Sequence, residues 1–161
     1  MTSDKMNIYV KTTLHQISIA VQSIIAIMDS LEQNDLSIQP TENKLSIGEL
    51  LTHLSVICKA DLLISDEASE EQMSNFYSSS SLQSIEDMKN ALLTNFALLE
   101  NRYLHYTEEE LMQTTTSYWG VSYTRFEWLI EISNHLYHHR GQLHAMLVHC
   151  AMKDPDVALF E

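Results

Sequence analysis

Glycine and proline are scarce, with three Gly and two Pro in 161 residues. Sandwiches and barrels spend these residues on their turns, so an all-β fold is excluded. Cysteine is as rare. Cys58 and Cys150 fall inside helical patterns, and two buried free thiols are expected rather than a disulfide staple. Positive charge is also short: nine Lys plus Arg stand against 22 Asp plus Glu, a formal net charge of −13. The basic residues are scattered, and an acidic surface repels phosphate backbones and anionic lipid. Nucleic acid and membrane are therefore not expected as partners. Long apolar runs are missing too. The most apolar stretch, Ile17 to Met28, is interrupted by Ser18, Gln22 and Ser23 and is too short to cross a bilayer. Met1 to Met6 lack a basic stretch followed by an apolar core, which predicts no secretory signal. The expected location is the cytoplasm.

What remains is helical periodicity over a length that suits one domain, residues 1–161. Helix one is predicted over about residues 5–32, with Val10, Leu14, Ile17, Val21, Ile24, Met28 and Leu31 as its apolar stripe. Helix two starts at a capping box, Ser46 with Glu49, and fades near Ile64, with Leu50, Leu51, Leu54, Ile57 and Cys58 facing the core. Residues 65–83 are polar and acidic. Their length predicts a crossover along the bundle, with an acidic loop of no function as the alternative. Helix three follows Ser84, with Met88, Leu92, Phe96, Leu99 and Tyr103 as its stripe. Thr107 to Glu110 form the capped start of a short turn, and Tyr118-Trp119-Gly120 a loop. Helix four runs from Thr124, capped through Glu127, to about Met152. The fold class is all-α, a four-helix bundle.

Histidine is concentrated where it matters. Five of the eight His lie on helix four: His135, His138, His139, His144 and His149. His135 and His139 are four apart, so their rings stack on one face, the spacing by which a single helix offers two imidazoles to a metal. Ile132, Leu143 and Met146 share that face, which points both rings inward. His138 lies off it by about a hundred degrees. A third ligand must come from another helix. His53, beside the stripe of helix two, is preferred over His15 and His105. For each of these residues an ordinary hydrogen-bonded histidine is the plainer alternative.

Two segments carry a resemblance. Leu45-Ser46-Ile47-Gly48-Glu49-Leu50-Leu51-Thr52-His53-Leu54 and His135-Leu136-Tyr137-His138-His139-Arg140-Gly141-Gln142-Leu143 resemble the DinB-like family of metal-binding four-helix bundles, the second nearly residue for residue. The resemblance implies that His53, His135 and His139 are the metal ligands. It also implies an up-down-down-up helix order with a long crossover between helices two and three, and a homodimer. Better-understood relatives use low-molecular-weight thiols as S-transferases or isomerases. A small thiol and an electrophilic small molecule are thus the implied substrates.

Three imidazoles leave a coordination position open, the mark of a reactive metal site. Such sites accept Zn, Ni, Co or Fe, with Zn or Ni the leading expectation for this divalent ion. A non-catalytic metal scaffold and a metal-dependent hydrolase are the rival readings. Hydrolysis calls for a carboxylate by the metal, and Glu49 and Glu131 read instead as a cap partner and helix surface. Four further expectations concern neighbours. Tyr118, Trp119 and Tyr123 would line the pocket mouth, with Trp128 inside the helix. Gly141 would mark a close helix approach, Arg140 would pair with an acidic side chain, and Gln142 would orient a ligand or make a structural bond. Ile8, Ile19, Ile25 and Ile27 lie outside the stripe of helix one and would need cover from a second subunit.

Overall fold

The computed structural model describes residues 7–161. Four long helices form the bundle: α1 (Ile8–Asp29), α2 (Ile47–Ser65), α4 (Ile85–Leu104) and α6 (Arg125–Ala145). Shorter elements are α3 (Glu70–Ser79), α5 (Glu108–Met112) and an antiparallel hairpin of β1 (Thr114–Thr116) and β2 (Ser122–Thr124). The predicted start of the first helix at residue 5 lies outside the described residues. Asn7 caps α1 by accepting the backbone N–H of Tyr9 and Val10.

Starts are written in local chemistry. Ser46 accepts the N–H of Glu49 while the Glu49 carboxylate accepts the N–H of Ser46, which satisfies two orphan donors of α2. Thr107 with Glu110 does the same for α5. Ser84 and Thr124 cap α4 and α6 through their hydroxyls. The stripe of α1 is buried from Val10 to Leu31, and it meets Leu50, Leu54, Ile57, Leu92, Leu99, Ile132, Leu136 and Leu143 in one core.

Long-range contacts set the helix directions. Asn95 donates to the Ser55 carbonyl and Arg102 pairs with Asp66, so α2 and α4 run parallel. His53 meets His139 and Asp61, further along α2, meets His135, earlier on α6, so α2 and α6 are antiparallel. Tyr137 donates to the Gln16 carbonyl and Arg140 to Ser23, which makes α1 and α6 parallel. The order is up-down-down-up. Joining parallel α2 to α4 requires the chain to travel back along the bundle, and residues 66–84 do so. That connection carries order of its own: α3, capped by Ser69 with Gln72, buries Met73 against Ala60, Ile64 and Trp128.

Several expectations change. The last helix ends at Ala145 and relaxes into a π-type turn, Met146–Cys150, before a C-terminal tail. Cys58 is buried but Cys150 is exposed; both are free thiols. Ile27 is fully buried in the core, Ile25 packs against the core, and Ile19 lines a crevice with Val157, Ala158 and Phe160. The protein's own tail covers that side of α1; of the four residues, Ile8 alone is strongly exposed. Among the described residues, no helix is long and apolar enough to cross a membrane.

The close backbone approach sits at a different glycine from the one expected. A Cβ at Gly141 would meet nothing within 4 Å, whereas one at Gly48 would lie 2.9 Å from the Leu36 carbonyl oxygen. The 3-10 turn Gln33–Ser37 rests on α2 at that point. Gly48→Ala should therefore cost about 1–3 kcal/mol through overpacking. Gly141→Ala should add about 0.5–1 kcal/mol, since Ala loses less backbone freedom in a helix. Chemical denaturation of the two variants reads both signs.

Candidate metal centre

Antiparallel packing of α2 on α6 sets His53 opposite the turn that holds His135 and His139. The three residues each place a ring nitrogen within 4.8 Å of the others. His53 Nε2 lies 3.1 Å from His135 Nε2. Ring centroids are 5.1 Å apart for His53 and His135, 4.6 Å for His53 and His139, and 4.9 Å for His135 and His139.

Outer partners fix the tautomers. Asp61 Oδ2, on α2, lies 2.7 Å from His135 Nδ1, and Gln142 Oε1 lies 2.8 Å from His139 Nδ1. Both oxygens accept, so each Nδ1 carries the hydrogen and each Nε2 turns a lone pair toward the cluster. Two lone pairs facing one another across 3.1 Å repel unless a proton or a cation lies between them. The donor set thus fits a divalent ion, as borderline and soft-to-intermediate metals prefer imidazole nitrogen.

Charge points the same way. Burial and the two neighbouring imidazoles push the His53 pKa down to about 4, so the ring stays neutral at neutral pH and keeps one nitrogen lone pair to donate. Burial also lowers His139, although the Gln142 hydrogen bond opposes this. His135 moves up because the Asp61 carboxylate stabilises its cation. A ring held basic in this way is a stronger metal donor.

The remaining histidines stand apart. His138 is exposed and turns its ring edge to His139 from outside the trio. His15 contacts Glu161 at the surface, and His105 caps the end of α4 through the Asn101 carbonyl.

Beside the cluster lies a cavity of about 310 Å³ lined by Asp61, Ile64, Tyr77, Tyr118, Trp119, Trp128, Glu131 and His135. His135 belongs to both. Tyr118 and Trp119 take the wall positions expected of them, and Trp128 joins them. Tyr123 instead packs edge-on against Trp128 at 4.8 Å. Glu131 is not helix surface. It is half-buried, gathers with Asp61 and His135 within 4.8 Å, and has its pKa pushed up to about 7 by burial and by the Asp61 charge. Two carboxylates therefore adjoin the cluster where the sequence reading found none. Both left a signal: Glu131 precedes His135 by four residues on the same face, and Asp61 interrupts the apolar pattern of α2, where a lone charge demands a partner.

Neighbouring assignments shift with them. Gln142 makes the structural bond to His139. Arg140 is buried and meets no acidic side chain; it donates to Ser23 Oγ and to the Leu159 carbonyl.

Comparison with known proteins gives one lineage. The family model described as the DinB superfamily matches residues 16–143, which span most of the bundle and the whole histidine cluster. The chain belongs to the DinB superfamily. A solved DinB family protein from Exiguobacterium sibiricum is 27% identical, covering 96% of this chain and 99% of its own, with a TM-score of 0.86. A DinB-like protein from Bacillus cereus shares the fold at 19% identity, with coverage of 92% and 97% and a TM-score of 0.69. Another from Bacillus subtilis, also 19% identical, covers 82% of this chain and 86% of its own with a TM-score of 0.61. The comparison with curated proteins gives no match. DinB superfamily membership and a three-histidine cluster of metal-binding size thus stand together.

Proposed function

We propose that this DinB superfamily protein is a metal-dependent enzyme in which His53, His135 and His139 hold one divalent ion, Zn or Ni, and that it transfers a low-molecular-weight thiol to an electrophilic carbon. The observation that carries this reading is the convergence of three imidazoles, two with anchored Nδ1 atoms, on the edge of a cavity of about 310 Å³. A divalent ion held there lowers the pKa of a thiol that binds it, so the thiolate is available near neutral pH.

The chain's own groups supply the rest. Glu131 stands at the cavity wall to accept the thiol proton. The aromatic wall holds the electrophile against the cluster. The sulfur forms a bond to the electrophilic carbon, and that carbon's bond to its leaving group breaks with both electrons going to the leaving group. Neither cysteine takes part: Cys58 is buried in the core with its pKa pushed up by burial, and Cys150 is not among the cavity residues.

A second reading, metal-dependent hydrolysis, gains from the same Glu131, since a carboxylate beside the ion suits it to take a proton from water. Titrating a small thiol into cobalt-substituted protein separates the two. Thiol transfer requires a sulfur-to-metal charge-transfer band and, well above the Glu131 pKa of about 7, release to solvent of the proton that Glu131 accepts. The band should survive Cys58→Ala and Cys150→Ala and vanish in His139→Ala. Absence of the band, with turnover of an ester or amide panel, would move the assignment to hydrolase. Absence of both would leave a metal-binding scaffold.

A homodimer is part of the proposal. Ile8 and Tyr9 at the start of α1, 59% and 67% exposed, are apolar surface available to it. Light scattering at micromolar concentration should give twice the monomer mass, and a clean monomer refutes it.

A further inference from the structure

The walls of the cavity beside the histidine cluster have a composition that the thiol chemistry does not use. Four aromatic rings come from three separate elements: Tyr77 from α3, Tyr118 and Trp119 from the hairpin turn, and Trp128 from α6. Tyr118 and Trp119 meet edge to face at 4.8 Å and are 46% and 53% exposed; Tyr77 is 44% exposed. Three large rings left half in water around one opening are an unusual expense of apolar surface. The indole N–H of Trp128 is already taken by Thr115 Oγ1 at 3.0 Å, so Trp128 offers the cavity an apolar ring and no donor. Gly120, at φ +93°, makes the tight turn that seats Trp119 next to Tyr118.

The ionisable groups on this wall are two carboxylates and the His135 imidazole that Asp61 holds. Asp61 and Glu131 contribute carboxylates, and neither Lys nor Arg lines the cavity. An anionic ligand would be repelled. A neutral apolar ligand would strip water from two carboxylates without replacing it. A cation with an alkyl body satisfies both features, because ring faces attract it by their quadrupole and the carboxylates balance its charge. The volume of about 310 Å³ suits a molecule at the small end of ordinary ligands.

We propose that this cavity binds a small organic cation, an alkylated or protonated amine, between the rings of Tyr77, Tyr118, Trp119 and Trp128 with Asp61 and Glu131 as counter-ions. The proposal deepens the enzyme reading by naming the charge class of the second substrate, and it rests on that reading only for the amine's role as substrate. A divalent ion on the histidines would draw on the same two carboxylates, so the amine should bind more tightly to the protein without metal.

Choline and its uncharged isostere 3,3-dimethylbutan-1-ol test the idea at pH 8, using the full chain both metal-loaded and after chelation. Titrations follow tryptophan fluorescence and heat. Choline should bind saturably and at least about tenfold more tightly than the isostere in the chelated protein, and less tightly once the divalent ion is loaded. Glu131→Gln should weaken choline by at least about tenfold and leave the isostere within about twofold. Trp119→Ala, a change at an exposed position that spares the fold, should weaken choline as well. Equal affinity for the two probes, no binding of choline up to tens of millimolar, or indifference to both substitutions would each overturn the proposal. Because the chelated protein is read directly, failure of the thiol chemistry and failure of the amine site are separate outcomes.

Discussion

Metal content should fall from about one ion per chain to near zero when His53, His135 or His139 is changed to Ala, and it should stay near one in His138→Gln and His15→Ala. Three ligands already leave the ion short of a full shell, so losing one removes a third of the protein's hold. The expected drop in affinity exceeds the roughly 10- to 100-fold that loss of an outer partner costs. Asp61→Asn should fall in that smaller range, because the ring of His135 stays in place while its basicity drops. Elemental analysis and competition with a chromophoric chelator read the whole series. Retention of metal in all three Ala variants would sink the ligand assignment. Loss of metal in His138→Gln would show that the outer ring of the pair is the true ligand.

Protons compete for the same nitrogens, and the direction follows from the shifts. His53, at about 4, stays neutral over the usual range. His135 is raised by Asp61 and is therefore the first ligand to be protonated as pH falls. Metal should be released on acidification through the His135 range.

Replacing Arg140 should cost more stability than any other change outside the core. Its guanidinium is 3% exposed, donates to Ser23 Oγ on α1 at 2.9 Å and to the Leu159 carbonyl on the tail, and lies 4.5 Å from the Tyr137 ring centroid and 4.7 Å from that of Phe160. Hydrogen bonds to a charged group contribute about 1.5–3 kcal/mol each, and a desolvated cation over a ring about 2 kcal/mol. Arg140→Ala recovers the cost of burying the charge, which leaves a net loss of about 2–4 kcal/mol. Arg140→Lys keeps the charge without the planar contact to the rings and should lose about half of that. Urea denaturation gives the magnitudes. Hydrogen exchange should locate the effect in residues 152–161, since Arg140 and the rings around it anchor the tail beside the Ile19 crevice and the Lys153–Asp35 pair. Unchanged tail protection in Arg140→Ala would refute the clamp.

The second half of the H-x-x-H-H-R-G-Q segment shows how differently neighbouring residues submit to sequence reading. His135 and His139 were legible because a helix repeats every 3.6 residues, and residues four apart on an apolar stripe must face the core. Arg140 shares their helix, but its partners come from Ser23 and Leu159, and no local pattern says where a C-terminal tail will lie. Gly141 invited a packing explanation, yet open space surrounds it; the glycine that packing does require is Gly48, where an irregular turn crosses α2. Glu131 was misplaced for a related reason. Its spacing from His135 was visible, but its burial depends on α2 and the aromatic wall covering that end of α6.

By itself the sequence determined the four long helices, their caps at Ser46, Ser84 and Thr124, the absence of a β framework, and the inward face that carries His135 and His139. These follow from interactions within one or two turns, where composition and spacing decide the outcome. Tertiary structure alone decided that Asp61 orients His135, that Glu131 joins it, that rings from α3, the hairpin and α6 enclose one cavity, and that the tail packs on α1. Apart from Glu131 with His135, those pairings join different elements, 74 residues apart for Asp61 and His135, and their geometry depends on the register in which whole helices pack. A helix pattern specifies which face is buried; only the packed bundle specifies what that face meets.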